Sequence, residues 1–547
     1  MTGTGGGDWW RGAVIYQIYP RSFADTNADG IGDLPGVTAH LDYIAKLGVD
    51  AIWLSPFFTS PMRDFGYDVS DYRDVDPMFG TLEDFGRLVE RAHALGLRVL
   101  IDQVLSHTSD RHPWFIESRA SRDNEKADWY VWASPRPDGA PPNNWLSVFG
   151  GSAWAWDTRR RQYYLHNFLK SQPDLNFHNP QVRAEILDVL RFWLERFRVD
   201  GFRLDTVNYY FHDRELRSNP PSSPTTEATT TPGHVNPYSY QEHIYDKTRP
   251  ENLAFLEEIR SLLERYPGSI AMGELGVDGN VASAMGQYTG NGRLQTAYSF
   301  ELLTPNVSAA YVRRVIETME RDIGDGWPCW AFSNHDVARV VSRWDFAGYA
   351  DRAAPLLIAL LCSLKGSICL YQGEELGLAE AEVPFEQLQD PYGIEFWPEY
   401  KGRDGCRTPM PWTSAPSTAG FTTGKPWLPI PKEHCDRAVA LQEADPASVL
   451  NRVRGFLRWR QTVPALRYGT IRVLDLPEPI LGIEREAAGR VVTGVFNLGL
   501  EDREVPLSGK GAIEPYRVAG FSGNVTGSTL RLGVLDAFFG WRGRDTR

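Results

Sequence analysis

Three carboxylates, far apart in the chain, each stand where a short apolar run stops. They are Asp205 in Gly201-Phe202-Arg203-Leu204-Asp205, Glu274 in Met272-Gly273-Glu274-Leu275, and Asp336 in Phe332-Ser333-Asn334-His335-Asp336. An apolar run ending in an acid has the form of a buried strand that delivers a carboxylate at its C-terminal tip. The two gaps, 69 and 62 residues, each hold one or two strand–helix units, so all three acids can face one mouth. Paired carboxyl groups in one mouth are what glycoside cleavage requires: one attacks the sugar, the other stays protonated and donates to the leaving oxygen. Burial beside another negative charge raises the pKa of the second and keeps it protonated. Arg203 lies two residues before Asp205, on the same side of a strand, where a fixed cation holds Asp205 ionised. His335, next to Asp336, can donate to sugar hydroxyls.

Such tips need strands behind them. Apolar, β-rich runs at 13–19, 51–54, 98–104, 201–205, 270–274, 296–300, 330–332 and 367–371 alternate with helical patterns such as 41–47 and 82–95. The rhythm predicts a parallel sheet covered by helices, and eight strands is the number that closes a barrel. Two stretches break the rhythm. Residues 107–177 are rich in Trp, Pro and Asn and read as a subdomain inserted after the third strand. Residues 218–237 are rich in Pro, Ser and Thr, a long structureless run of the kind that serves as a lid or rim loop. Past residue 464, short β-like runs at 471–476, 480–485 and 490–497 predict a small all-β domain. The expected units are therefore 1–106 and 178–464 for the barrel, 107–177 for the insertion and 465–547 for the C-terminal domain.

The chain has 547 residues, 42% of them hydrophobic, and a net charge of −13. That is ample for a large core, and it argues against nucleic acid as a partner, which calls for a basic surface. The longest apolar run, 356–364, is far short of the roughly 20 residues a membrane span needs and reads as a core helix. Residues 1–7 are Gly- and Thr-rich, without the basic start and apolar core of a signal peptide, so a cytoplasmic location is expected. The five cysteines contain no CxxC and read as free, buried thiols in a reducing compartment. The 18 Trp, 23 Tyr and 26 Phe fill the core first, and any excess offers faces on which sugar rings stack.

Taken as an ordered set, Asp102-Gln103-Val104-Leu105-Ser106-His107, the 201–205 run, Glu274 and the 332–336 run resemble the four sequence regions of the α-amylase family, glycoside hydrolase family 13. Gln172-Pro173-Asp174-Leu175-Asn176 resembles the extra region of its oligo-1,6-glucosidase and α-glucosidase branch. The resemblance runs from about Trp9 into the C-terminal domain. It implies a (β/α)₈ TIM barrel, a B domain inserted after strand three and a C-terminal β-sandwich. It implies a retaining enzyme with Asp205 as nucleophile, Glu274 as general acid/base and Asp336 as transition-state stabiliser. By the same resemblance Asp64, Tyr67, His107, Arg203, His335 and Arg403 form a glucose pocket, and Phe149, Phe168 and Phe300 shape it and its aglycone side. Tyr67 would offer its ring to the sugar. Asp64 and Arg403 would clamp the hydroxyls of a terminal glucose, which favours exo-action on short substrates.

Thr206 follows the nucleophile. In this branch Val at that place goes with α-1,6 action and Ala or Thr with α-1,4 action, so maltose-like substrates are expected, with transglucosylation to sugar or alcohol acceptors as a side activity. The competing expectations are a maltose- or sucrose-converting synthase or transferase, a trehalose-6-phosphate hydrolase, an oligo-1,6-glucosidase and, remotely, a non-catalytic binding subunit. A monomer or homodimer is expected. Ser106 departs from the Asn that binds a structural calcium in many amylases, so that calcium is not expected. A different loop has the logic of a cation site. Asp25-Thr26-Asn27-Ala28-Asp29-Gly30-Ile31-Gly32-Asp33 places oxygen ligands at positions 1, 3, 5 and 9 (Asp25, Asn27, Asp29, Asp33), with the Ile31 carbonyl at 7 and a turn-permitting glycine at 6. The expectation is structural Ca2+ or Mg2+ and no organic cofactor.

Overall fold

The computed structural model describes residues 7–222, 236–506 and 513–543. Most of the proposed lid at 218–237, and most of the N-terminal tail, lie outside the described residues.

All eight apolar runs form strands: β1 (Val14–Ile18), β2 (Ala51–Leu54), β3 (Arg98–Gln103), β4 (Gly201–Leu204), β5 (Ile270–Glu274), β6 (Thr296–Tyr298), β7 (Pro328–Ala331) and β8 (Ser367–Tyr371). They run parallel and close into a barrel, with β1 paired to both β2 and β8. Near-continuous apolar runs suit this arrangement, because such strands are covered on both faces. Alternate residues go to opposite sides. Val14, Tyr16 and Ile18 join the large core beneath the helices, whereas Ile15 joins Trp53, Leu100, Met272, Cys329 and Cys369 in a second cluster that fills the barrel. β7 starts two residues earlier than the apolar pattern suggests, at Pro328, a residue that fits the first position of a strand. β6 ends at Tyr298 because Phe300 leads into the turn Glu301–Leu303. Gly201 opens β4 at φ +144, and a Cβ there would stand 2.0 Å from the Ile270 carbonyl oxygen, so close approach of β4 to β5 requires glycine.

The covering helices carry their own start signals. Thr81 and Asp84 form a reciprocal capping box on Leu82–Ala94. Asn179 caps Pro180–Phe197, with Pro at the first position. The apolar run at 356–364 belongs to the buried helix Ala350–Leu361. Among the described residues no helix is long and apolar enough to cross a membrane, and the five cysteines are free and buried.

Between β3 and β4 the chain makes a three-stranded sheet with Gln162–Leu165 between Trp132–Ala133 and Trp154–Asp157. Bridges from His107 to Asp174 and from Tyr130 to Leu175 tie this excursion to the barrel rim. After the helix Pro464–Tyr468 come a five-stranded and a three-stranded antiparallel sheet. Ile480, Val495 and Phe538 of the first share a core with Val505, Leu530 and Leu532 of the second, which makes a sandwich. Fully buried Arg485 anchors it to the barrel by donating to the carbonyls of Ser363 and Leu364, and to the helix Pro464–Tyr468 and its C-cap by donating to those of Leu466 and Gly469.

Candidate active site

The tips converge. Asp205 is the first residue past β4, Glu274 is the last of β5, and Asp336 follows β7 by five residues. The group that organises two of them is Arg203, which is wholly buried. One guanidinium nitrogen lies 2.6 Å from Asp205 Oδ1 and 2.9 Å from Asp102 Oδ1. The other lies 2.7 Å from Glu274 Oε1 and donates to Tyr298 Oη, also at 2.7 Å. Tyr298 in turn donates to Glu274 Oε1 at 3.0 Å. Strand register explains the grouping: Asp102 of β3 stands opposite Arg203 of β4, which stands opposite Met272, two residues before Glu274.

Asp336 belongs to a second set of cations. Its Oδ1 lies 3.2 Å from Arg403 and 2.9 Å from Arg407. Arg403 also reaches Asp64 at 2.9 Å and Asp390 at 2.7 Å, so one guanidinium joins three acids. His335 is fully buried beside these groups, with Nε2 2.6 Å from Tyr67 Oη and Nδ1 2.7 Å from Gln17 Nε2. Tyr67 stacks on it almost parallel, at 6° and 5.3 Å between centroids, and donates to Asp102 at 3.1 Å.

These groups enclose a cavity of about 190 Å³. Asp64, Tyr67, His107, Asp205, Thr206, Glu274, Asp336 and Arg403 line it, together with Phe149, Phe168 and Phe300. Arg203 and His335 do not line it. They stand behind the wall and act on the groups that do. Arg403 lies over the Phe149 ring at 5.4 Å, and Phe168 packs against His107 at 5.1 Å, so these two phenylalanines are fastened to the polar groups of the pocket.

The acids are held in different protonation states. Burial pushes Glu274 up to about 7; Arg203 opposes the rise, while the Asp205 and Asp336 charges add to it. Burial also raises Asp205, and Arg203 in direct contact holds that rise back. Asp336 goes the other way: against the cost of burial, its cationic neighbours hold it well below the usual carboxylate range. Burial pushes His335 down to about 3, so it is neutral at pH 7; the Asp336 charge opposes the fall, while Arg407, Arg203 and Arg403 add to it. The site thus has one acid poised to give a proton near neutrality, one carboxylate, Asp336, held firmly charged, and Asp205, which burial raises and Arg203 draws back toward its charged form.

Thr206 has φ +39, a left-handed conformation that is costly for a β-branched residue. This turn aims its amide at Glu274 Oε2, 3.0 Å away, and its hydroxyl donates to Asp205 Oδ2 at 3.2 Å. Ser106 is in contact with both His107 and Thr206.

The loop 25–33 is a chain of Asx turns. Asp25 Oδ1 accepts from the amides of Asn27 and Ala28, Asn27 Oδ1 from that of Asp29, and Asp29 Oδ1 from that of Ile31. Asp33 caps the helix Leu34–Ala39 and also accepts from Thr26. The loop holds the segment 421–427 through Asp25 to Phe421, Thr422 to Asp25 and Trp427 to Gly30. Among the described residues, no three His, Cys, Asp or Glu side chains gather as a metal cage.

Sequence reasoning named no role for Asp102, Gln172, Tyr298, Asp390 or Arg407. Asp102 and Gln172 lie inside motifs quoted above, and Arg407 lies four residues past Arg403; each signal is present without a partner to interpret it. Tyr298 and Asp390 carry no local signal.

Comparisons with known proteins give the family. Residues 17–469 match the family model described as alpha amylase, catalytic domain. A probable alpha-glucosidase of Rhizobium meliloti (strain 1021) is 58% identical over 537 residues, 97% of each chain. An oligo-1,6-glucosidase of Heyndrickxia coagulans is 38% identical over 519 residues, 87% of this chain and 89% of that one. The crystal structure of an alpha-glucosyl transfer enzyme, XgtA, superimposes with a TM-score of 0.96 at 58% identity, covering 98% of this chain and all of the other. On the family match over residues 17–469 and these identities, the chain belongs to the α-amylase family of glycoside hydrolases, family 13.

Proposed function

We propose that this glycoside hydrolase is a retaining, exo-acting α-glucosidase that releases α-glucose from the non-reducing end of short α-1,4-glucosides such as maltose, with glucosyl transfer as a side reaction. The observation that carries the reading is Arg203, whose two nitrogens hold Asp205 and Glu274 at 2.6 and 2.7 Å while a separate pair of arginines keeps Asp336 charged. Asp205 Oδ2, the oxygen without a guanidinium partner, attacks the anomeric carbon as the glycosidic bond breaks. The electron pair leaves with the aglycone oxygen, which takes the Glu274 proton. Glu274, now a carboxylate, removes a proton from water or from an acceptor alcohol, which displaces Asp205 from the sugar. Asp336 stabilises the positive charge that develops on the sugar ring. Asp64 and Arg403 close the pocket behind one glucose, which supports exo-action. The Thr206 hydroxyl supports α-1,4 preference, and the similarity to an alpha-glucosyl transfer enzyme supports transfer.

The test is NMR of the products formed from maltose, with Asp205→Ala as control. The expected early product is α-glucose, absent with the variant. Trehalose or another disaccharide as the main early product would move the assignment to a synthase or transferase.

A divalent cation, Ca2+ or Mg2+, is proposed at Asp25, Asn27, Asp29, the Ile31 carbonyl and Asp33. The donors are all oxygens, as a hard cation prefers; Asn27 Oδ1, both Asp29 oxygens and Asp33 Oδ1 each accept one hydrogen bond and keep a lone pair, whereas both Asp25 oxygens accept two and would give one up to bind. Its effect would be on the loop and on the 421–427 segment tied to it. A chelator is therefore expected to lower the melting temperature, with recovery on adding back Ca2+ or Mg2+. Unchanged melting together with a metal-free elemental analysis would refute the site. The free cysteines support a reducing, cytoplasmic location.

A further inference from the structure

Counting protons around His107 exposes a hydroxyl that cannot satisfy all its neighbours at once. His107 Nε2 lies 2.9 Å from the Tyr67 carbonyl oxygen, which only accepts, so Nε2 carries the proton. The nearby Gln172 amide does not alter this. Its oxygen accepts from the Leu169 amide, which fixes its orientation, and its nitrogen donates to Asp64 Oδ2 and to the Tyr67 carbonyl. Burial pushes His107 down to about 4, so at neutral pH it is uncharged and Nδ1 is bare. Ser106 Oγ, 2.9 Å from Nδ1, must therefore donate to it.

A hydroxyl has one proton. Toward Thr206 Oγ1, 3.1 Å away, Ser106 Oγ can then only accept. The Thr206 hydroxyl has a single proton too, and it has two claimants at nearly equal distance: Ser106 Oγ at 3.1 Å and the nucleophile's Oδ2 at 3.2 Å. The backbone cannot relieve the conflict, because φ +39 and the hydrogen bond that the Thr206 amide donates to Glu274 fix Thr206 in place. Only the O–H bond is free to rotate.

We propose that Ser106 is a positioning residue whose hydroxyl oxygen is the alternate acceptor for Thr206, so that the Thr206 hydroxyl turns between Asp205 and Ser106 during turnover. This rests on Asp205 as nucleophile. While Asp205 is a carboxylate, its charge draws the Thr206 proton. As Oδ2 bonds to the anomeric carbon it loses that charge and a lone pair, and the hydroxyl swings to Ser106. When the carboxylate re-forms, the hydroxyl swings back and stabilises it. With Ser106 unable to accept, the proton stays pinned on Asp205 and stabilises the ground state more than the transition state.

The test is a double-mutant cycle of Ser106→Ala and Thr206→Val, read as kcat/KM for maltose over pH. Ser106→Ala is expected to lower kcat/KM about fivefold and to shift the acid limb to lower pH, because Thr206 then donates to Asp205 alone. Arg203, Asp102, Glu274 and Asp336, the other charged groups facing Asp205, are unchanged in every variant. In the Thr206→Val background, Ser106→Ala is expected to change neither the rate nor the limb, and Ser106→Thr in the native background is expected to keep both. Should Ser106→Ala not fold, Ser106→Cys, a weak acceptor, takes its place. A Ser106→Ala effect of equal size in both backgrounds would mean that Ser106 acts through His107 alone, and would overturn the inference. Asp205→Ala, run in parallel, separates the failures: inactivity with an additive cycle overturns this inference only, whereas retained activity overturns the nucleophile assignment as well.

Discussion

Replacing Glu274 by Gln is expected to lower kcat/KM for maltose about 10³-fold, and to lower it far less for an aryl α-glucoside with a good leaving group. A sugar alkoxide needs a proton to depart, while a nitrophenolate does not, so the contrast between the two substrates isolates proton donation from binding. The native enzyme should show a bell-shaped pH profile. As the proposed proton donor, Glu274 must be protonated, and burial places it at about 7, so activity is expected to fall as pH rises through that value. As the proposed nucleophile, Asp205 must be ionised, and burial has raised it above the ordinary range, so activity is also expected to fall as pH drops through its pKa. The two limbs are macroscopic values of a coupled set, since Arg203 touches both acids. Glu274→Gln should lose the alkaline limb and keep the acid one. Steady-state pH–rate profiles on both substrates check this. Equal losses on both substrates would remove Glu274 from the role of proton donor.

Arg203→Leu is expected to cost both stability and activity. The guanidinium is the shared partner of Asp102, Asp205 and Glu274, all buried. Removing it leaves three acids packed together in a low-dielectric site. Breaking a buried pair in this way costs about 3–5 kcal/mol of stability, and the acids respond by taking up protons. Asp205 would then be neutral where it must be charged, and activity should fall by about 10³-fold or more. Lys should not rescue, because one ammonium cannot present two nitrogens to the two sides of the site. Urea unfolding and kcat measurements on the two variants check both halves. A variant that keeps its activity and loses only stability would reduce Arg203 to a structural ion.

Much of this site is legible in the sequence, because its key residues lie at the ends of apolar runs. Strand periodicity locates β1 to β8, and the last residues of those runs are the ones that meet in the mouth. The polar partners are less legible for a physical reason. Asp102 acquires its role from facing Arg203 in the register of β3 with β4, and register is a property of the closed barrel. Asp390 comes from a loop well beyond β8 and meets Arg403 at 2.7 Å only after the chain has folded back on itself. Tyr298 reads as one more apolar strand residue, and only the fold places its hydroxyl between Arg203 and Glu274. Ser106 is visible as a departure from a family pattern, but its partners, His107 on one side and Thr206 on the other, are a matter of ångströms.

The most direct test of the account is covalent trapping. A slow fluorinated α-glucosyl donor, incubated with the enzyme and quenched in acid, should add one glycosyl group to the chain by mass spectrometry. Peptide mapping should place it on Asp205, and Asp205→Ala should carry none. An adduct on another residue, or release of β-glucose with no adduct at any time, would contradict Asp205 as the nucleophile of a retaining enzyme.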